Sequence, residues 1–208
     1  MKYSDFPFIM MQTFLEKKYN KTLDIVVKER IFDKMNLKRT MFNPNKNSSL
    51  QNSVVPSEID NYFRNQELKG YVHDMAAGML GGIAGHAGLF SNSFEVASLM
   101  QMYLNKGNYD GKNFFSSETF DKFNNCIYCD NGNRRGIGFD KPQIEGSGST
   151  CGCVSRESFG HSGFTGTYAW ADPNEKIIYV FLSNRTYPSM DNTLSVSYTH
   201  SEPTRRRG

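Results

Sequence analysis

The chain has 208 residues, 38% of them hydrophobic, which is enough for one domain with a sizeable core. No run approaches the roughly 18 apolar residues of a membrane helix, so the chain reads as soluble, with no membrane span. Of the formal net charge of +3, Glu202 with Arg205, Arg206 and Arg207 supplies +2, and the +1 left for residues 1 to 192 excludes a nucleic-acid footprint.

Met1 to Asp5 leads straight into an amphipathic segment with no signal peptide, so the chain is expected either to be cytoplasmic or to lack its true start. Phe8, Met11 and Leu15 share a helical face. After the Asn20-Lys21 break, Leu23, Val26, Val27, Arg30 and Ile31 repeat that spacing from a Thr22 cap, which predicts two helices within residues 6 to 35. Asn43 to Asp60, with Pro44, Pro56 and many Asn and Ser, predicts an irregular surface connection. The glycine-rich stretch from Gly78 to Gly88 precedes a helix from Ser93 to Asn105 that Gly107 stops, and a short helix follows from Ser116 to Asn124.

The last third changes character. Thr167 to Ala171, the turn Asp172-Pro173-Asn174-Glu175, and Lys176 to Leu182 predict a β-hairpin whose second strand is apolar on both faces, as expected inside a sheet covered by helices. The fold class is α/β mixed (α+β) with an antiparallel sheet, and there is no internal repeat.

Candidate chemistry is sparse. GGIAGHAG, Gly81 to Gly88, lacks the Gly-Lys-Ser/Thr of a phosphate loop and reads as a flexible or close-packed loop. Cys126, Cys129, Cys151 and Cys153 form C-x2-C followed by C-x-C, which admits structural zinc, disulfides or thiols. The first three of His73, His86, His161 and His200 lack the spacing of a metal site, so no metal or cofactor is expected. His73 beside Asp74 admits an oriented base, but a hydrogen-bonded structural histidine is the commoner case. Lys17-Lys18 and Arg134-Arg135 read as solvated pairs. GHSGFTGT, Gly160 to Thr167, admits three readings for His161: a catalytic group, a metal ligand or filler in a tight turn.

Several separated motifs decide among these. Tyr3-Ser4-Asp5 followed by FLEKKYNKTLDIVVKERIFDKMNLKRTMF, then AGHAGLFSNSFEVASLMQMYLNKG, RRGIGFDKP, GHSGFTGT and VFLSNR, resembles in order the serine β-lactamase-related hydrolases. That superfamily includes class C β-lactamases, penicillin-binding-protein-like D-amino-acid peptidases and esterases. The VHD, GHAGLFS and RRGIGFDKP wording is similar to a domain fused behind a β-N-acetylhexosaminidase in some bacterial envelope proteins.

The resemblance implies a β-lactamase/D-peptidase-like fold over residues 1–194 and an acyl-serine mechanism. In that mechanism a Ser-x-x-Lys serine attacks, a Tyr-x-Asn tyrosine relays the proton with the lysine, and a Lys/His-x-Gly strand lines the acyl group. Tyr3 matches the tyrosine, and His161-Ser162-Gly163 matches the strand. The next residue, Phe164, would supply one oxyanion-hole N–H. His161 then contacts or polarises substrate without being the primary base. Asp5 stands where the family has Asn. It can accept from a lysine but, when ionised, cannot donate to a substrate amide.

No Ser-x-x-Lys occurs in residues 1–208. The pair is therefore expected upstream of Met1, and the chain alone is expected to be poorly soluble and without turnover. Residues 195–208 look like a non-native tail. The resemblance implies a bacterial envelope location, periplasmic or extracellular, and a small-molecule or peptidoglycan-derived substrate. Two other readings stay open: a non-catalytic accessory domain of a hexosaminidase, and a zinc-stabilised interaction domain built on the cysteines.

Overall fold

A computed structural model describes residues 4–47, 49–129, 133–143, 148, 150 and 152–192. Tyr3, Cys151, His200 and the tail 195–208 lie outside these. The chain divides into two compact units, Met1–Glu95 with Thr186–Met190, and Val96–Arg185 with Asp191–Gly208.

The first unit opens with helix α1, Phe6–Tyr19, entered through Asp5 with Pro7 in its first turn and closed by left-handed Asn20. Helix α2, Leu23–Val27, follows at once and runs into a wider π-helical turn, Lys28–Phe32. The predicted Thr22 cap is corrected. Thr22 holds the N-cap position without a side-chain bond, and Glu16 Oε1 accepts the Leu23 N–H instead at 2.9 Å. Leu23, Val26 and Phe32 are buried.

The connection predicted from Asn43 to Asp60 is irregular as expected, with short 3₁₀ turns at Pro44–Lys46 and Gln51–Ser53. Two-residue strands flank it: β1, Met41–Phe42; β2, Ile59–Asp60; β3, Gln66–Glu67. Helix α3, Met75–Met79, takes the start of the glycine-rich stretch, and β4, Leu89–Phe90, ends it by pairing antiparallel with β1. The stretch is close-packed: Ala77 and Ala84 are buried, and the Gln12 amide grips Ile83 O and the Gly85 N–H at 3.0 Å each.

Two buried acids organise this unit. Glu58, 1% exposed, accepts from Tyr62 Oη at 2.7 Å and from the Met190 N–H at 2.9 Å, and its Oε2 lies 2.9 Å from His73 Nε2. Burial alone would raise the Asp60 carboxyl. The amides of Phe63, Tyr62 and Arg64, with the Arg64 guanidinium, outweigh it and hold Asp60 below the ordinary carboxylate range.

Helix α4, Ser93–Leu104, begins where the Asn92 side chain accepts the Glu95 N–H at 2.9 Å. Gly107, at φ +96°, returns its N–H to Met102 O, which places the helix stop where the sequence predicts it. In the second unit come the turn strands β5, Asn108–Tyr109, and β6, Lys112–Asn113, then helix α5, Ser117–Asn124, capped by Ser116. An antiparallel sheet follows: β7, Phe159–Ser162; β8, Thr167–Asp172; β9, Ile177–Leu182, in the order β7-β8-β9.

Met100, Phe120, Phe159 and Ala171 form the core of this unit, with Tyr103, Phe115 and Phe139 packed against it. The Phe159 ring lies edge-on to Phe120 at 5.2 Å and tilted on Phe139 at 4.9 Å. The expectation that the second hairpin strand lies inside a covered sheet is corrected. Among the described residues β9 is an edge strand, and Ile177, Tyr179 and Phe181 on its outer face are each at least half exposed. Cys126 and Cys129 are joined in a disulfide with Cα atoms 5.5 Å apart, and Cys153 is also disulfide-bonded.

Asp60 and Asp74 in the first unit and Asp172 in the second all have folded-state carboxyls lowered below their ordinary value. Their stabilisation is complete above the unfolded value of about 3.9 and is lost as pH falls through the lower folded values. The urea midpoint is therefore expected to fall steeply below about pH 4, and Asp60→Asn should flatten that fall. A midpoint that stays level into stronger acid would contradict this.

Candidate active-site strand

The site residues predicted from the sequence fall in different places. Tyr3 lies outside the described residues. Asp5 is half-buried at the entry of α1 in the first unit, where its backbone carbonyl accepts the Phe8 and Ile9 N–H groups at 3.0 and 3.2 Å. His161, Ser162, Gly163 and Phe164 are consecutive in the second unit, at the end of β7 and in the turn beyond it.

β7 has its low-propensity glycine for a steric reason. A Cβ on Gly160 would meet Ala169 O and the Trp170 ring on β8, so only glycine lets the two strands approach here. The ladder pairs His161 with Ala169 and Ser162 with Tyr168. Gly163 then donates to Thr167 O at 2.7 Å and Gly166 donates to Gly163 O at 3.0 Å, which closes the turn. A Cβ on Gly163 would meet Thr167 Oγ1, so a side chain there would need that hydroxyl to turn away.

The other side of β7 is held by the RRGIGFD segment. Asp140 exchanges two backbone hydrogen bonds with Gly160, at 2.8 and 3.2 Å. Antiparallel pairing alternates in direction, so Gly160 and Ser162 share the outward side, and Ser162 is the next outward position along the edge. Arg135 Nη1 lies 2.9 Å from Asp140 Oδ1 and 3.3 Å from His161 Nε2.

A guanidinium only donates, so Nε2 accepts. The ring proton is then on Nδ1, 2.7 Å from Ser162 O. His161 is thus fixed between an arginine and its own strand. Tyr168, opposite Ser162, has its phenol pushed up to about 12 by burial and by the nearby Asp140 and Tyr179. Phe164 is 55% exposed, and the Arg185 guanidinium sits over its ring at 4.6 Å from the centroid.

Sequence reading missed Arg135 and Asp140 as site residues. Arg134-Arg135 reads there as a solvated pair, whereas Arg135 is 24% exposed and fully engaged. The available signal was the acid five residues after Arg135, brought opposite it by the glycines of the turn. His73 is the hydrogen-bonded structural histidine of the commoner case, and it does not pair with Asp74. His73 meets Glu58, and Asp74 meets His86, with Oδ1 3.0 Å from Nε2. Among the described residues no group of three or more His, Cys, Asp or Glu side chains is arranged to hold a metal ion. Among them, too, no helix is long and apolar enough to cross a membrane.

The family model described as Beta-lactamase matches residues 1–197. A relative in Escherichia coli strain K12 named "Putative D-alanyl-D-alanine carboxypeptidase" is 32% identical over 200 residues, covering 89% of this chain and 45% of the relative. The chain therefore spans about half the length of the relatives it matches. A crystal structure of a β-lactamase from Mycobacterium bovis superposes with a TM-score of 0.58 at 15% identity, over 95% of this chain and 64% of that one. A penicillin-binding protein homologue from Caulobacter crescentus gives 0.55 at 16%, over 83% and 49%. These two likenesses bear on fold and agree with the mixed helix and antiparallel-sheet architecture. With the motif order in the sequence and a family match over residues 1–197, the chain belongs to the β-lactamase family of serine-hydrolase-like proteins.

Proposed function

We propose that residues 1–194 form the acyl-site wall of a serine hydrolase that cleaves amides or esters of peptidoglycan-derived peptides through an acyl-enzyme. The observation that carries the reading is the edge position of His161-Ser162-Gly163 on β7, with Arg135 and Asp140 fixing the imidazole. Relatives named as D-alanyl-D-alanine carboxypeptidases support the substrate class. The Cys126–Cys129 disulfide supports an oxidising compartment, periplasmic or outside the cell.

In this reading a Ser-x-x-Lys serine and lysine come from sequence outside residues 1–208. The serine Oγ attacks the substrate carbonyl, and Tyr3 with the lysine takes its proton. The Phe164 backbone N–H donates to the oxyanion, and a preorganised donor of that kind contributes about 3 kcal/mol. Collapse expels the amine or alcohol, which takes the proton back from Tyr3, and water hydrolyses the acyl-enzyme. Ser162 and Gly163 line the substrate backbone, and Asp5 accepts a hydrogen bond from the lysine.

The test uses the polypeptide that includes the Ser-x-x-Lys segment, incubated with a peptide ending in D-Ala-D-Ala and with a penicillin. Mass spectrometry should find one acyl group on the serine, and His161→Ala should lower kcat/KM by about tenfold or more, within the usual range for a lost transition-state contact. An unlabelled serine, or a wild-type kcat/KM in the variant, would sink the reading and leave a non-catalytic module.

A further inference from the structure

In the second unit a cavity of about 470 Å³ has the Cys126–Cys129 disulfide in its wall, with both cysteines half-buried. The two cysteines are only three positions apart, so the bond removes little chain entropy from the unfolded state and is a weak staple. The C-x-x-C spacing is that of dithiols that exchange with other thiols. The charge around the bond suits such chemistry. Asp121 on the same wall is taken by Lys106 at 2.8 Å, and Glu157 accepts from Asn174 at 3.1 Å. Lys122, Lys141 and Arg156 share the lining and favour an incoming thiolate, whose negative charge is spread over three sulfurs during exchange.

The loop that this bond closes is tied to the candidate active-site strand. Asn133 donates its N–H to Tyr128 O at 3.1 Å, inside the loop, and the Asn133 carbonyl oxygen lies 3.2 Å from Cys126 Sγ. The same carbonyl accepts the Arg135 N–H at 3.0 Å. Arg135 Nη1 in turn reaches His161 Nε2 at 3.3 Å while it pairs with Asp140. Two thiols cannot stay at bonding distance. When the bond opens, the sulfurs part, and the shift of Cys126 and of the loop around Tyr128 passes to Asn133 and from there to Arg135.

We propose that the Cys126–Cys129 disulfide is a thiol-exchange site whose opening loosens the grip of Arg135 on His161. A small-molecule thiolate attacks Cys129 Sγ. The new S–S bond forms as the Cys126–Cys129 bond breaks, and the electron pair leaves on Cys126 Sγ, which takes up a proton and then has Asn133 O as its acceptor. A second thiolate attacks the small-molecule sulfur of the mixed disulfide and frees Cys129. Two small thiols are thereby oxidised to one disulfide, the protein disulfide is reduced to two thiols, and both protons end on the cysteines. Asp140 still holds the guanidinium afterwards, so the grip is loosened and not lost. The consequence for catalysis rests on the reading proposed for β7, whereas the exchange and the release of the imidazole do not, so the two can fail separately.

The folded 208-residue chain is incubated with reduced glutathione, alkylated and mapped by peptide mass. In parallel, His161 is probed with diethyl pyrocarbonate, which acylates a ring nitrogen whose lone pair is free. Cys126 and Cys129 should become alkylated without denaturant. Acylation of His161 should then be about threefold faster or more, the scale of one lost hydrogen bond. Because Cys153 is also disulfide-bonded, the double variant Cys126→Ser/Cys129→Ser is the control: it should react at the reduced rate with or without glutathione. Arg135→Met should raise the rate and remove its dependence on the thiol. A disulfide that opens only in urea, an unchanged His161 rate after reduction, a double variant that still responds to glutathione, or a thiol dependence that survives Arg135→Met would each overturn the proposal.

Discussion

Replacing Phe159 by alanine is expected to destabilise the second unit by about 3–5 kcal/mol, the usual cost of deleting a fully buried aromatic ring. Phe159 is 0% exposed and sits between Phe120 and Phe139 under β7. Two helices and the RRGIGFD segment converge on that ring, so the cavity left by alanine has no side chain able to relax into it. The same residue begins the strand that ends in His161-Ser162. Loss of the ring should therefore loosen the Asp140–Gly160 bridge as well. Urea unfolding monitored by Trp170, which pairs with Gly160 across the ladder, reads both effects. A loss under about 1.5 kcal/mol, the range of a conservative core swap, would mean that the strand is held by its hydrogen bonds and not by its core.

Tyr3→Phe should have the larger consequence for chemistry. In the polypeptide that includes the Ser-x-x-Lys segment, the change keeps the ring and removes only the hydroxyl. It should therefore lower kcat/KM by about 10²–10⁴-fold, the usual range for proton transfer by a positioned side chain. Binding of the substrate peptide should change little. The comparison with His161→Ala is informative: a contact that lines the acyl group costs less than the group that moves the proton. If the two variants lost activity equally, or if Tyr3→Phe stayed within twofold of wild type, the assignment of the relay to Tyr3 would be wrong.

The contrast between what could and could not be read from the sequence has physical causes. Helix α4 was legible because its apolar residues recur at helical spacing and Gly107 follows, and α5 because Ser116 precedes it. The β8–β9 hairpin was legible because the Asp172 side chain gathers its own turn, accepting from the amides of Asn174 and Glu175. β7 was legible as a strand only through the resemblance of His161-Ser162-Gly163, not from its own propensities. Gly160 and Ser162 have low strand propensity, and what holds them extended is pairing with Trp170 and Tyr168 on one side and, for Gly160, with Asp140 on the other. The two-residue strands β1 and β4 are further cases, since Met41 meets Phe90 across 49 positions of chain.

The site divided the same way. GHSGFTGT announced itself by order and spacing among other motifs. The clamp on His161 did not, because an arginine pair beside a glycine turn has the composition of solvated surface. His73 does not pair with its neighbour Asp74 for a simpler reason. Adjacent residues in an extended stretch point to opposite sides, so a His and an Asp side by side are poorly placed to meet. Each found a partner elsewhere, Glu58 for the histidine and His86 for the aspartate.

The outer face of β9 has a thermal consequence. Ile177, Tyr179 and Phe181 stand at alternate positions, so their side chains form a row with steps of about 6.8 Å that water must cover. Covering such a row constrains the water, and that constraint is relieved when two rows meet. Contact made in this way strengthens on warming and weakens on cooling. A solution of the 208-residue chain should therefore scatter more light at 30 °C than at 5 °C and clear again on chilling, and Phe181→Lys should suppress the effect. Scattering that is indifferent to temperature would mean the row is covered.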